Sequence, residues 1–119
     1  MLKNMNKIRA RESFTFVKNN PNESDLMKKL PVMFQVNGLL AGFAFLLKGE
    51  SHKKVATHLL EYLVGVHMLE NIDASDPGNV FADWVGDGGL ETIELFELTE
   101  EIIKYSTWLK RAAEALTEN

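Results

Sequence analysis

The side chains with the most chemical potential are three histidines and a run of glutamates. His58-Leu59-Leu60-Glu61 and His67-Met68-Leu69-Glu70 repeat one setting, a histidine followed three residues later by a glutamate. On a helix that spacing puts both side chains on one face. Helical di-metal centres use the opposite order, Glu-x-x-His, on two helices and add further inward glutamates. No such set is present, so the expectation is a surface His–Glu hydrogen bond and no bound metal or cofactor. Glu91, Glu94, Glu97, Glu100 and Glu101 lie one to two helical turns apart. Carboxylate acid–base chemistry needs a pocket that shifts their pKa values, and a glutamate-rich face is expected to be solvated. Gly86-Asp87-Gly88-Gly89 lacks the lysine and preceding strand of a phosphate loop. Ser13, Ser24, Ser51, Ser75 and Ser106 have no nucleophile-elbow context. The absence of cysteine excludes disulfides, thiolate zinc sites and thiol catalysis. A chain with this inventory is expected not to be an enzyme and to take no small-molecule substrate.

The elements that would carry these residues read as helical. The 119 residues, 45% hydrophobic and 25% charged, suit a single domain over 1–119 with one core. No stretch alternates with period two, whereas several carry apolar residues at helical spacing. The first helix is expected from about Asn6 to Asn19, with Ala10, Phe14 and Val17 on one side. Asn19-Asn20-Pro21-Asn22 is turn chemistry, and Ser24 is the expected N-cap of a second helical region. Pro31 and Gly38 should kink or split that region. The stretch from Leu39 to Leu47 is apolar nearly all round and is expected in the middle of the core, with Gly49 as the stop behind it. A third helix is expected from Ser51 to Val64, and the pattern weakens from Gly65 to Ser75. Asp76-Pro77 starts a short helix ending at Gly86. From Leu90 to Leu116, residues Leu95, Leu98, Ile102, Tyr105, Leu109, Ala112 and Leu116 form a heptad seam, with Ile103 and Trp108 beside it. The seam is expected to pack within the chain rather than against another. The fold class is all-α: a compact bundle of five or six helices, two of them short, with a long C-terminal helix.

The longest apolar run, Gly38 to Leu47, is ten residues, against the roughly 18 needed to span a bilayer. The segment Met1 to Lys7 is charged with no apolar stretch behind it, so no secretory signal and no membrane are expected, and the location is read as cytoplasmic. Charge divides the chain. Residues 1–60 hold ten Lys/Arg against four acids, residues 61–103 hold eleven acids and no Lys or Arg, and residues 104–119 carry +1; the net is −4. Such a chain either folds its halves onto one another or presents surfaces of opposite sign to partners. A pI of 5.4 argues against a general nucleic-acid binder, whose domains lie above about 9.

Three stretches carry a resemblance. Lys28-Lys29-Leu30-Pro31, then Asn37-Gly38-Leu39 and the Phe43-to-Leu46 apolar helix, resemble the small helical subunit of the Cmr (type III-B) CRISPR effector complex. Arg9-Ala10, Ser13 and Val17 resemble that family's amino-terminal Arg-Ala-x-x-Ala helix, with serine for the second alanine. Thr99-x-Glu101, followed by Trp108-Leu109-Lys110-Arg111-Ala112-Ala113-Glu114-Ala115, resembles its carboxy-terminal helix. Residues 65–90 match nothing in the pattern. The resemblance implies a non-catalytic subunit of antiviral defence. Copies of it stack beside the guide RNA and help hold target RNA, with the other Cmr subunits, further copies of itself, guide RNA and target RNA as partners.

On that reading the basic residues Arg9, Lys18, Lys29, Lys48, Lys53, Lys54, Lys110 and Arg111 are the candidate phosphate contacts, positioning RNA without reading its sequence. Leu30, Pro31, Gly38, Leu39 and Trp108 are assigned to the fold. A basic amino-terminal half meeting the acidic 61–103 region of the next copy would supply the heterologous contact that stacking needs. Two other classes stay open. One is a helical protein–protein adaptor with no nucleic-acid role. The other is a metal-dependent hydrolase using His58, Glu61, His67 and Glu70.

Overall fold

In a computed structural model, which describes residues 4–117, the chain forms five α-helices and one 3₁₀ turn: α1 (Met5–Asn19), the turn Pro21–Glu23, α2 (Ser24–Phe45), α3 (Glu50–Gly65), α4 (Pro77–Val85) and α5 (Thr92–Thr117). No strand occurs among the described residues. The radius of gyration is 13.7 Å, against about 13.5 Å for a compact chain of this length.

Local chemistry accounts for most of the helix ends. Asn4 caps α1, its Oδ1 accepting from the Lys7 N–H at 3.2 Å, and Lys18 in the last turn suits the negative end of the helix dipole. The 3₁₀ turn runs straight into α2, so Ser24 is already helical and is not the side-chain cap expected of it. The backbone of α2 stays helical through Pro31 and breaks at Gly38 (φ 79°, ψ 175°). That break turns the second half of α2 so that Leu39, Gly42 and Phe43 reach the core while Ala41, Ala44 and Phe45 stay outside. The apolar stretch is therefore not buried all round. Gly42 is pressed so closely by the Phe34 ring that a Cβ there would lie 2.6 Å from it.

The helix ends at Phe45, four residues before the expected stop, and Gly49 (φ 86°) instead opens α3. α3 closes on a Schellman motif: the Met68 N–H donates to Leu63 O at 2.9 Å and the His67 N–H to Val64 O at 3.0 Å. His67 takes the left-handed position (φ 65°). Asp76 and Pro77 start α4 as expected, with Asp76 accepting from the Asn79 N–H at 3.4 Å.

Helix α5, about 39 Å long at 1.5 Å per residue, is the spine. It packs along α2 and α1. Its seam residues Leu98, Ile102, Tyr105, Leu109 and Ala112 are buried, while Leu116 is 46% exposed at the end. The core they complete includes Val17, Leu30, Phe34, Phe43, Val55 and Leu59, and α4 stands on Phe43 through Trp84, ring centroids 5.1 Å apart.

The dihedrals of Gly38 are accessible essentially to glycine alone, and no atom crowds the position. Gly38→Ala is therefore expected to cost about 1–3 kcal/mol of stability through backbone strain, read as a lowered urea midpoint with an unchanged slope.

Candidate nucleic-acid interface

The positions of the charged residues follow from a polar cluster inside the bundle. Arg9 of α1 meets Glu101 of α5 in a two-pronged ion pair, Nε–Oε2 and Nη2–Oε1 both at 2.7 Å. The two side chains are 10% and 9% exposed. Nη1 also donates to Asn6 Oδ1 at 3.0 Å. Tyr62 of α3 donates its hydroxyl to the same Glu101 Oε2 at 2.7 Å, and its ring stacks on Tyr105, centroids 3.7 Å apart. The Tyr105 hydroxyl shares a 2.6 Å hydrogen bond with His58 Nε2. The His58 ring in turn lies on Phe16 at 3.9 Å. Helix α1 contributes three residues and α3 and α5 two each, and no buried side-chain polar atom among the described residues lacks a partner.

Electrostatics follow from these contacts. The hydrogen bonds to Glu101 push the Arg9 guanidinium further up. Burial by itself would raise the Glu101 carboxyl, but the hydrogen bonds from Arg9 and then Tyr62 outweigh it and hold Glu101 below the usual carboxylate range. Burial lowers His58 to about 4, so its ring is neutral at physiological pH. Burial also raises both tyrosines.

This cluster corrects three expectations. Arg9, a candidate RNA contact, is buried with its guanidinium engaged by Glu101, so it belongs to the fold. Glu101, expected on a solvated face, is the buried acceptor at its centre. His58 pairs with Tyr105 rather than with Glu61. The second His–Glu setting does not repeat the first either, since His67 lies past the end of α3. Among the described residues no three His, Asp or Glu side chains converge to hold a metal ion.

The cluster also sets the register of the helices. Arg9 lies by Tyr62, Phe16 by His58, and Lys54 Nζ stands 3.7 Å from Glu23 just beyond α1. α1 and α3 are thus antiparallel, while α1 and α5 run the same way. Lys18 lies nine residues along α1 from Arg9, Lys53 and Lys54 nine and eight along α3 from Tyr62, and Lys110 and Arg111 nine and ten along α5 from Glu101, all in one direction. At 1.5 Å per residue, each sits about 12–15 Å from those residues along its own helix, on the side where Lys54 reaches Glu23. The first half of α5, with Glu91, Glu94, Glu97 and Glu100, points the other way. These cations and the first-half glutamates of α5 lie on opposite sides of the cluster, with Glu23 and Glu50 standing among the cations.

Within that basic end the side chains differ. Lys18, Lys53 and Lys54 are exposed and Lys110 is half-buried. The Arg111 guanidinium lies over the Trp108 ring at 4.8 Å. Lys48, between α2 and α3, lies over Phe45 at 4.5 Å. Lys29 stands apart, exposed on the outer side of α2. A groove of about 580 Å³ runs along α3, lined by Lys53 and Lys54 but also by Glu50 and Glu61, with Phe16 and His58 among its walls. Two lysines against two glutamates make it no anion pocket, so the cations act as a rim.

Residues 3–116 match the model of one family, described as CRISPR-associated protein (Cas_Cmr5). The chain belongs to the Cas_Cmr5 family. No curated protein and no solved structure matches it. Membership makes this a small CRISPR-associated subunit whose partners lie within the Cmr complex. No single helix among the described residues of this Cas_Cmr5 chain is long and apolar enough to cross a membrane.

The ion pair and the histidine give separate predictions. Arg9→Met strands a buried carboxylate and is expected to cost about 3–5 kcal/mol, whereas Arg9→Met with Glu101→Gln recovers most of it, since the amide still accepts from Tyr62. Chemical denaturation of the two variants checks this. For pH, His58 binds a proton near 6.5 when unfolded but only near 4 when folded. Its contribution is present in full above about pH 6.5 and is lost as pH falls toward 4, about 3 kcal/mol in all. The lowered Glu101 adds loss of the same sign in the carboxylate range. Urea midpoints between pH 7.5 and 4.5 should fall accordingly, and His58→Gln should flatten the upper part of the decline.

Proposed function

We propose that this Cas_Cmr5 subunit is non-catalytic and holds target RNA against the guide in the Cmr complex through phosphate contacts at the basic end of the bundle. The supporting observation is that Lys18, Lys53, Lys54, Lys110 and Arg111 lie on one side of the Arg9–Glu101–Tyr62 contacts along three helices, with Glu91, Glu94, Glu97 and Glu100 of α5 on the other. Lys48 extends that rim across the α2–α3 connection. Arg111 resting on Trp108 and Lys48 on Phe45 favour this role, because a cation braced on a ring loses less freedom when it meets a phosphate. Further copies stack beside it along the guide RNA and target RNA. The lysines and arginine fix position and read no sequence.

Phosphate contacts release counterions, so single-strand binding falls with salt at a log–log slope of about −0.7 per contact. Replacing Lys110 and Arg111 with alanine should lower the slope for target RNA retention by the assembled complex by about 1.4, measured by filter binding across a salt series. Lys53→Ala with Lys54→Ala should act alike. An unchanged slope in both variants assigns the subunit instead to protein–protein bridging without an RNA role.

A further inference from the structure

Most of the large apolar side chains are consumed by the core, but eight among the described residues are exposed. Among the described residues the most exposed large apolar side chains are Val36 at 75%, Ile93 at 67%, Phe96 at 61% and Val32 at 59%. They form two pairs at helical spacing, Val32–Val36 on α2 and Ile93–Phe96 on α5. At 100° per residue, Val32 and Val36 lie opposite the buried Leu30 and Phe34, and Ile93 and Phe96 lie opposite the buried Leu98, Ile102 and Tyr105. α2 and α5 pack on one another, so the two exposed ridges point away from each other.

The ridges also match in charge and length. Reading back along α2, the exposed order is Val36, Val32, Lys29, Asp25. Reading forward along α5, it is Ile93, Phe96, Glu100, Lys104. Each ridge spans twelve residues, eleven rises or about 16 Å. Laid antiparallel, they set Val36 on Ile93, Val32 on Phe96, Lys29 on Glu100 and Asp25 on Lys104. No ion pair within the chain engages Lys29, Asp25, Glu100 or Lys104 among the described residues.

We propose that the outer ridge of α2 in one copy docks on the outer ridge of α5 in the next, through the apolar pairs Val32–Val36 and Ile93–Phe96 and the charge pairs Lys29–Glu100 and Asp25–Lys104. The proposal rests on the stacking of copies stated above and names the surfaces that make it. Because the ridges face opposite ways, one chain cannot join its own, and the contact is heterologous: each copy keeps one free ridge at either end. The apolar pairs supply the attraction by leaving water, and the alternating charges fix the register and reject a slipped alignment. Lys29 thereby acts between proteins rather than on RNA.

The test is sedimentation of the full chain at low salt up to millimolar concentration. The wild type should form a ladder of species. Val32→Ser with Val36→Ser, and separately Ile93→Ser with Phe96→Ser, should each weaken association at least about tenfold. An equimolar mixture of the two should form dimers and nothing larger, because each retains the ridge the other has lost. Lys29→Glu should weaken association, and Lys29→Glu with Glu100→Lys should restore it. A wild type that stays monomeric, a mixture that stays monomeric, or a charge reversal that is not rescued overturns the proposal. If a serine variant fails to fold, the charge exchange at the exposed positions Lys29 and Glu100 still decides. The Lys110/Arg111 variant should associate like the wild type, so loss of RNA retention and loss of stacking report separately on the two readings.

Discussion

The buried pairing of Arg9 with Glu101 is the constraint on which the rest of the arrangement depends. A guanidinium and a carboxylate removed from water are costly unless geometry and further hydrogen bonds compensate. Here the pair is two-pronged, Tyr62 donates to the same carboxylate, and Asn6 takes the remaining arginine face. Such a cluster is only satisfied when α1, α3 and α5 stand in one register. Its structural weight lies less in net attraction than in excluding alternatives, because a one-turn slip of α1 or α5 leaves a charge buried and unpaired and a slip of α3 takes the Tyr62 hydroxyl away from Glu101.

That register converts a one-dimensional charge pattern into a three-dimensional one. The sequence changes sign near residue 60, in the middle of α3, and again after residue 103, within α5. With α1 and α3 antiparallel and α5 running with α1, the starts and ends of these helices alternate. The lysines at the end of α1, the start of α3 and the second half of α5 therefore lie on the same side of the Arg9–Glu101 pair, where Lys54 reaches Glu23. One ion pair, Arg9–Glu101, joins the basic part of the chain to the acidic part internally, while the other α5 glutamates stay outside.

The resemblance and the structure meet at this pair. Arg9 belongs to the amino-terminal motif and Glu101 to the Thr-x-Glu motif, 92 residues apart, and they bond to one another. Two charged residues standing in otherwise apolar helical motifs are a signal of mutual burial. Read singly, each looked like an ordinary solvated charge, and Arg9 was placed with the phosphate contacts for that reason. Ser13, which replaces a small apolar residue of the motif, is buried with its hydroxyl turned back to the Ala10 carbonyl at 3.0 Å, so the exchange is absorbed locally.

The sequence by itself determined what depends on neighbours within a turn or two: the all-helical class, the Asp76-Pro77 start, the break at Gly38 and the inward seam of α5. Periodicity, capping side chains and glycine's conformational range act over such distances. Only the tertiary structure decided which charges are buried, that His58 answers to Tyr105 and not to Glu61, and that Gly49 begins a helix instead of ending one. Those outcomes depend on how much water each group keeps once three helices close around it, and that is a property of the packed bundle rather than of any segment.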